Sequence, residues 1–488
     1  MRRRRTAALL GLAALPPIAV LLAAIALADG GASRISTAAT PSFTREVAPI
    51  VAAKCAGCHQ AGGIAPFALE TAGQIAARAD LVAAAVEAGR MPPWPPGARS
   101  PAYVGEAERT LSASQRRTIV AWARAGGPID GPARRARPQA RPSAKPGESV
   151  LDLRVPAAYR PRAARGATDD YRCFLLDPRL DEDASVTSAR ILPGRPGIVH
   201  HVILFRVASG LVPDARRLDA ADAGPGWGCF GGTGLSLGDA GSIRDALDDA
   251  DWVTAWAPGS GGGRLPPGVG VPLPARSRIV MQIHYNLLNG RGADRSRAVL
   301  TVSPSSAGLE PLRTMLLPAP VELACGGGED GRLCDRTAAL FDLARKYGPE
   351  AAFVPAGLHL LCGRGVSGPQ ASPVTSCDRR LGAPTTIRVV AGHMHLLGAS
   401  IRVTLAPGTP RERVLLDIPR WDFHWQSAYT LKRAVRARAG DVLRVTCRHD
   451  VRKRKRGEHG IPKAPRYVLW GEGTSDEMCV GIVQVTRG

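Results

Sequence analysis

Residues Arg2 to Arg5 form a cationic cluster, and Ala7 to Leu27 follow as an apolar run interrupted by Pro16-Pro17. Ala26-Leu27-Ala28 supplies small residues at the cleavage positions, so residues 1–28 read as a signal peptide. An uncleaved signal anchor is the other reading, because about 20 apolar residues can span a bilayer. Either way the bulk of the chain is exported, to a periplasmic or extracellular compartment. It meets the membrane only if the N-terminal segment stays attached. Export makes disulfides available. Cys55 and Cys58 belong to a motif of their own. Cys173, Cys229, Cys325, Cys334, Cys362, Cys377, Cys447 and Cys479 form an even set that reads as four disulfides of open pairing.

A chain of 488 residues is too long for one core, and several domains are expected. Its 55 glycines and 41 prolines, few aromatic residues and scarce helical periodicity after about residue 130 suit β-sandwiches with many turns. The net charge of +22 would fit nucleic acid or an anionic membrane surface. The basic residues are scattered, however, apart from Met1-Arg5, Arg134-Arg141 and Arg452-Arg456, and no nucleic-acid-binding motif is present. The charge reads as a basic solvated surface, with no nucleic-acid partner.

After a short amphipathic helix over Phe43-Val51 comes Cys55-Ala56-Gly57-Cys58-His59. Cys-x-x-Cys-His is the attachment signal for a c-type haem, with both thiols bonded to the porphyrin and His59 as an axial ligand. Met91, in Gly89-Arg90-Met91-Pro92-Pro93-Trp94, is the candidate sixth ligand, because a Met/His pair suits electron transfer. A last helix, Ser112 to Ala125, opens on Ser112 as N-cap, places Ile119 and Trp122 on one face, and stops at Gly126-Gly127-Pro128. Residues 42–131 resemble a class I cytochrome c, an all-α domain with one covalently bound haem c. Residues 132–150, rich in Pro, Arg and Ala, read as an extended linker.

The remaining histidines fall on β-prone runs. His200 and His201 are adjacent in Ile198-Phe205, and both reach one metal only at a strand end or a local twist. His284 shares a strand face with Gln282, opposite Ile279, Met281, Ile283 and Tyr285. His393 and His395, in Gly392-His393-Met394-His395-Leu396-Leu397-Gly398, point the same way two rises apart. Met478 stands beside Cys479. Three imidazoles suit copper or zinc, whereas two imidazoles and a thioether favour copper. His359, His424, His449 and His459 carry no motif and read as surface or hydrogen-bonded residues, and Ser306 to Ala383 shows no assignable pattern.

Residues 151–488 resemble the type II copper, ascorbate-dependent monooxygenases, the family of peptidylglycine α-hydroxylating and dopamine β-monooxygenase. The matching segments are Val199-Phe205, Ala255-Pro258 with Leu265-Gly270, Gln282-Tyr285, His393-Gly398 and Thr474-Cys479, in the family's order. The resemblance implies two jelly-roll-like antiparallel sandwiches, over 151–305 and 306–488, with two copper ions. His200, His201 and His284 would form the electron-donating site. His393, His395 and Met478 would form the catalytic site, where O2 binds and substrate is hydroxylated. It also implies disulfides Cys173–Cys229 and Cys447–Cys479. The peptide enzymes use Arg, Asn and Tyr where this chain has Ala391, Val480 and Ile482, so the expected substrate is a less charged small molecule than a glycine-extended peptide.

The function expected on these grounds is copper-dependent C–H hydroxylation. O2 and a small organic substrate are its reactants, and ascorbate or a periplasmic electron donor is its reductant. The fused haem domain would pass electrons singly to the His200/His201/His284 copper, its linker raising the effective concentration. The alternative is a non-catalytic periplasmic haem and copper electron-transfer or copper-binding protein. It explains less well why two sites should differ in ligand set.

Overall fold

The computed structural model describes residues 39–61, 65–131, 144–163, 168–235, 243–257, 260, 262–288, 290–366, 370–456 and 464–487. The signal segment, Arg134-Arg141, Pro258, His459 and most of the expected linker lie outside them. From Pro41 onward the chain forms one compact unit. No helix among the described residues is long and apolar enough to cross a membrane.

The first part is helical. Ser42 caps a π-helical turn at Phe43–Val47, which runs into α1 (Ala48–Lys54). Then come α2 (Ala72–Ala76), α3 (Ala79–Glu87), α4 (Glu106–Arg109) and α5 (Ala113–Arg124). Ser112 and Gln115 close a capping box at the start of α5, satisfying two N–H groups that the first turn leaves free. The buried face of α5, Ile119 and Trp122, joins Phe43, Val47, Val51, Val82 and Val86 in one core. Gly126 ends the helix at φ +85°, and at Gly127, φ +66°, an added Cβ would lie 3.0 Å from Ala79 Cβ.

Next, β1 (Ser149–Arg154), β2 (Asp169–Leu176), β3 (Ala184–Leu192), β4 (Val199–Val207), β5 (Trp227–Gly228), β6 (Trp252–Trp256), β7 (Gly263–Arg264), β8 (Val269–Leu273), β9 (Arg278–Asn286), β10 (Arg297–Pro304) and β11 (Glu310–Pro311) build two sheets. Their orders are β1-β10-β3-β8-β11, with β7 on β3, and β5-β2-β9-β4-β6. One core spans both: Val186, Ile191 and Leu300 of one sheet meet Phe174, Leu204, Met281 and Ile283 of the other. Pairing is antiparallel except between β8 and β11, so the first sandwich extends past residue 306. Gln282 lies on the face opposite that core, as expected. It is 3 % exposed rather than solvated, because it donates to the carbonyls of Cys229 and Gly232.

The second sandwich contains β12 (Arg313–Pro318), β13 (Glu322–Leu323), β14 (Val374–Arg380), β15 (Thr385–Met394), β16 (Gly398–Leu405), β17 (Arg413–Ile418), β18 (Ala428–Ala437), β19 (Val442–His449), β20 (Val468–Leu469) and β21 (Cys479–Arg487). Sheet β12-β21-β15-β18 faces sheet β14-β19-β16-β17 across Ile387, Val390, Val483, Ile401, Val403 and Val445. The region without an assignable pattern carries helices at Arg336–Tyr347 and Val354–Leu361. Cys173–Cys229 and Cys447–Cys479 are bonded, matching the two implied pairs, and the structure adds Cys325–Cys334 and Cys362–Cys377.

The helical part lies on this second sandwich. Tyr103 bridges Leu431 of β18, Val104 N–H donates to Thr430, and Gly97 N–H donates to the Asp417 carbonyl. Tyr103 is 1 % exposed, and its hydroxyl donates to the Leu415 carbonyl at 2.7 Å.

Candidate metal centres

Adjacent histidines converge because β4 bulges. Val199 pairs with Tyr285 and His201 with His284, so two steps on β4 oppose one on β9. The extra residue, His200, escapes the strict alternation that would separate the two rings. The Nδ1 atoms of His200 and His201 lie 3.2 Å apart, and each is 3.3 Å from His284 Nδ1. Atoms so spaced share a point about 1.9 Å from each, close to a metal–imidazole bond length.

The surroundings leave these nitrogens free to bind. His284 Nε2–H donates to Asp169 Oδ1 at 2.8 Å, which leaves the lone pair on Nδ1. Burial opposes ionisation of Asp169. The hydrogen bonds from His284 and Thr474 outweigh it and hold this carboxyl well below the ordinary range. Burial, then the neighbouring His284, pushes His200 and His201 well below the usual histidine value, so both rings are neutral donors. Three neighbouring imidazole nitrogens thus converge on one point. The residues fit a metal.

The second cluster joins β15 to the start of β21. Met394 pairs with Cys479; His395 follows Met394 and Met478 precedes Cys479, so both stand at the same end of the antiparallel pair. The His393 and His395 rings are 5.1 Å apart. His393 Nδ1–H donates to Gln426 Oε1 at 2.6 Å, and His395 Nδ1–H to the Asp476 carbonyl at 3.2 Å. Each ring therefore presents Nε2, unlike His284 in the first cluster. Burial, then the charge of His395, lowers His393 to about 3. Glu477, fully buried, accepts the N–H groups of His395, Leu397 and Met478 and faces His449 at 3.4 Å. It ties the Met478 segment to the histidine turn. Gly398 permits the close approach of Trp421, whose indole N–H donates to the His395 carbonyl; a Cβ there would lie 2.6 Å from Trp421 Cδ1.

The clusters adjoin. His200 stacks on Phe423 of the second sandwich at 4.4 Å, and the rings of His201 and His393 are 6.2 Å apart. Thr474 donates to Asp169, and Tyr171, stacked on His284 at 4.1 Å, donates to the Glu472 carbonyl.

Residues 375–484, which contain His393, His395, Gln426 and Met478, match the family described as copper type II ascorbate-dependent monooxygenase, C-terminal domain. The comparisons support that family. A relative, MOXD1 homolog 1 of Drosophila melanogaster, is 22% identical over 303 residues, covering 59% of this chain and 35% of its own length. The chain thus spans about a third of that relative. Among solved structures, the major capsid protein P2 of bacteriophage PM2 is similar at 12% identity over 70% of this chain and 97% of its own, with a TM-score of 0.23. That likeness carries no argument.

Within the matched segment, Ala391 pairs with Ile482 and His393 with Val480. These four share the sheet face opposite the core residues Val390 and Val483. The surface beside His393 is therefore apolar.

Cys55 and Cys58 are the free thiols among the described cysteines, and burial pushes Cys55 up to about 12. His59 is 8 % exposed, with Nδ1 bonded to the Phe67 carbonyl at 3.0 Å, which leaves Nε2 for a ligand. Met91 is half-buried after α3, its N–H bonded to the Ala85 carbonyl. Two unpaired thiols one turn apart beside an oriented imidazole fit covalent haem attachment.

Sequence reasoning did not find Asp169, Tyr171, Gln426, Phe423 or the role of His449. His449 is 2 % exposed and close to Glu477 and the Met478 carbonyl, so it is a buried, hydrogen-bonded residue rather than a surface one. One signal was available: Asp169 shares strand parity with Tyr171 and leads into it.

Proposed function

We propose that this chain is a monooxygenase that binds two copper ions and hydroxylates a C–H bond of a small, weakly charged organic molecule. One oxygen atom of O2 enters the substrate and the other leaves as water. Copper held by His393, His395 and Met478 would supply the O2 chemistry, and copper held by His200, His201 and His284 would supply electrons. The observation that carries the reading is the triangle of imidazole nitrogens, 3.2 to 3.3 Å on a side, whose His284 member is oriented by Asp169.

The chain's own groups orient and exclude. Asp169, Gln426 and the Asp476 carbonyl fix which nitrogen of His284, His393 and His395 faces the metal. Met478 adds a soft ligand suited to reduced copper. Ala391, Val480 and Ile482 offer no countercharge to a buried carboxylate, which favours an apolar substrate. Haem c attached at Cys55 and Cys58, with His59 and Met91 as axial ligands, would feed electrons from a periplasmic donor or ascorbate.

The second reading, non-catalytic electron exchange between haem and copper, is favoured by the two free thiols beside an oriented His59 in the same chain as the imidazole triangle. Metal and haem analysis of the exported protein, with O2 uptake under a reductant, separates the two. The oxygenase reading expects two coppers, one haem and O2 consumption that Met478→Ala abolishes. Copper and haem without O2 consumption would leave the exchange reading.

A further inference from the structure

We infer that electrons from the helical region enter at the His393/His395/Met478 site, across a bridge of Arg109, Ser427 and Gln426, and not at the His200/His201/His284 site. The inference rests on the proposed haem reading and changes its route.

The bridge is continuous from the haem-attachment turn to a metal-facing ring. Lys54, adjacent to Cys55, donates its ammonium to the carbonyl of Ala107 on α4. Two residues on, Arg109 donates from Nη2 to Ser427 Oγ at 3.0 Å. The neighbour of Ser427 is Gln426, whose Oε1 holds His393 Nδ1–H at 2.6 Å. Arg109 also lies over the Trp94 ring, 5.2 Å from its centroid, and Trp94 meets Tyr429 edge-on at 5.5 Å. Trp94 is three residues after Met91. Both flanks of the haem motif, the Cys55-His59 turn and the Met91 segment, thus converge on the β18 end beside Gln426.

The first cluster is covered differently. Its ring neighbours are Tyr171, Phe423 and His393, and its hydrogen-bond partners are Asp169 and the Tyr171 hydroxyl, all from the sandwiches. The step is a one-electron transfer. Haem held at Cys55, Cys58 and His59 would give up one electron and copper held at His393, His395 and Met478 would take it, with no bond in the bridge broken. The first site is then one ring contact away, between His393 and His201.

The test follows haem re-oxidation by its visible absorption after anaerobic mixing of ferrous-haem protein with its copper sites oxidised. Arg109→Ala is expected to slow re-oxidation about tenfold or more, with copper and haem content unchanged. Ser427→Ala, which deletes one hydroxyl and keeps the Tyr103 contact, should slow it in the same direction. A His200→Ala/His201→Ala double variant should keep the fast phase. Loss of re-oxidation in the double variant, with wild-type rates in Arg109→Ala and Ser427→Ala, overturns the route and leaves the haem reading standing. No re-oxidation in the wild-type protein overturns both.

Discussion

Phe423 stacks on His200 at 4.4 Å with planes 17° apart, although the two residues come from different sandwiches. The same ring meets His395 at 6.0 Å, so one aromatic side chain braces a ligand of each cluster. Phe423→Ala should therefore weaken copper at both sites, read by titration against a chelator. Its burial also implies a stability loss of about 3–5 kcal/mol in denaturant unfolding. An effect confined to one site would contradict the shared brace.

Asp169→Asn replaces the charged acceptor of the His284 Nε2–H with a neutral amide oxygen. Copper affinity at the first site should fall about 10–100-fold, and the second site should keep its copper. Spectra that separate a three-imidazole site from a two-imidazole, thioether site check which one is lost.

The copper-free protein should lose stability in acid. His393 falls from 6.5 to about 3, first through burial and then through the charge of His395. Below 6.5 the unfolded chain binds a proton that the folded site refuses, so stability declines as pH drops from there toward about 3. His200 and His201 shift in the same direction. Each group contributes at most about 1.4 kcal/mol per pH unit. Thermal midpoints of copper-free protein between about pH 8 and about pH 5 should fall on the acid side; a flat profile would contradict neutral buried rings.

Tyr103→Ala removes the residue that seats the helical part on β18. A cost of about 3–5 kcal/mol is expected from the lost aromatic volume, plus the hydroxyl that donates to Leu415. Limited proteolysis should then cut within residues 97–110, which the wild-type protein protects through Gly97, Val104 and Arg109.

Much of the two clusters was legible as strand pattern. His393 and His395 are two residues apart near a strand end, and parity alone predicts that they share a face. The helical part was legible because capping, spacing and stop signals are local: Ser112, Ile119, Trp122 and Gly126 each act within a few residues. Helices at Arg336–Tyr347 and Val354–Leu361 were not legible, since cysteines, glycines and prolines around them hide a short periodicity. Asp169 was hidden for another reason. Nothing in its own segment says that β2 will pair with β9 and bring it to His284.

By itself, the sequence determined the chemistry on offer: thiols in Cys-x-x-Cys-His, imidazoles on β-prone runs, a thioether beside a cysteine, and an apolar set at Ala391, Val480 and Ile482. These follow from residue type and from periods of two or three to four, which any chain must obey. Only the tertiary structure decided how they combine. The bulge at His200 depends on register against β9, and the choice of Nδ1 or Nε2 depends on Asp169 and Gln426 arriving from distant strands. The contact of His201 with His393, and the seat of Arg109 on Ser427, depend on how separately built cores pack. Such relationships are set by long-range pairing and burial, which local pattern does not encode.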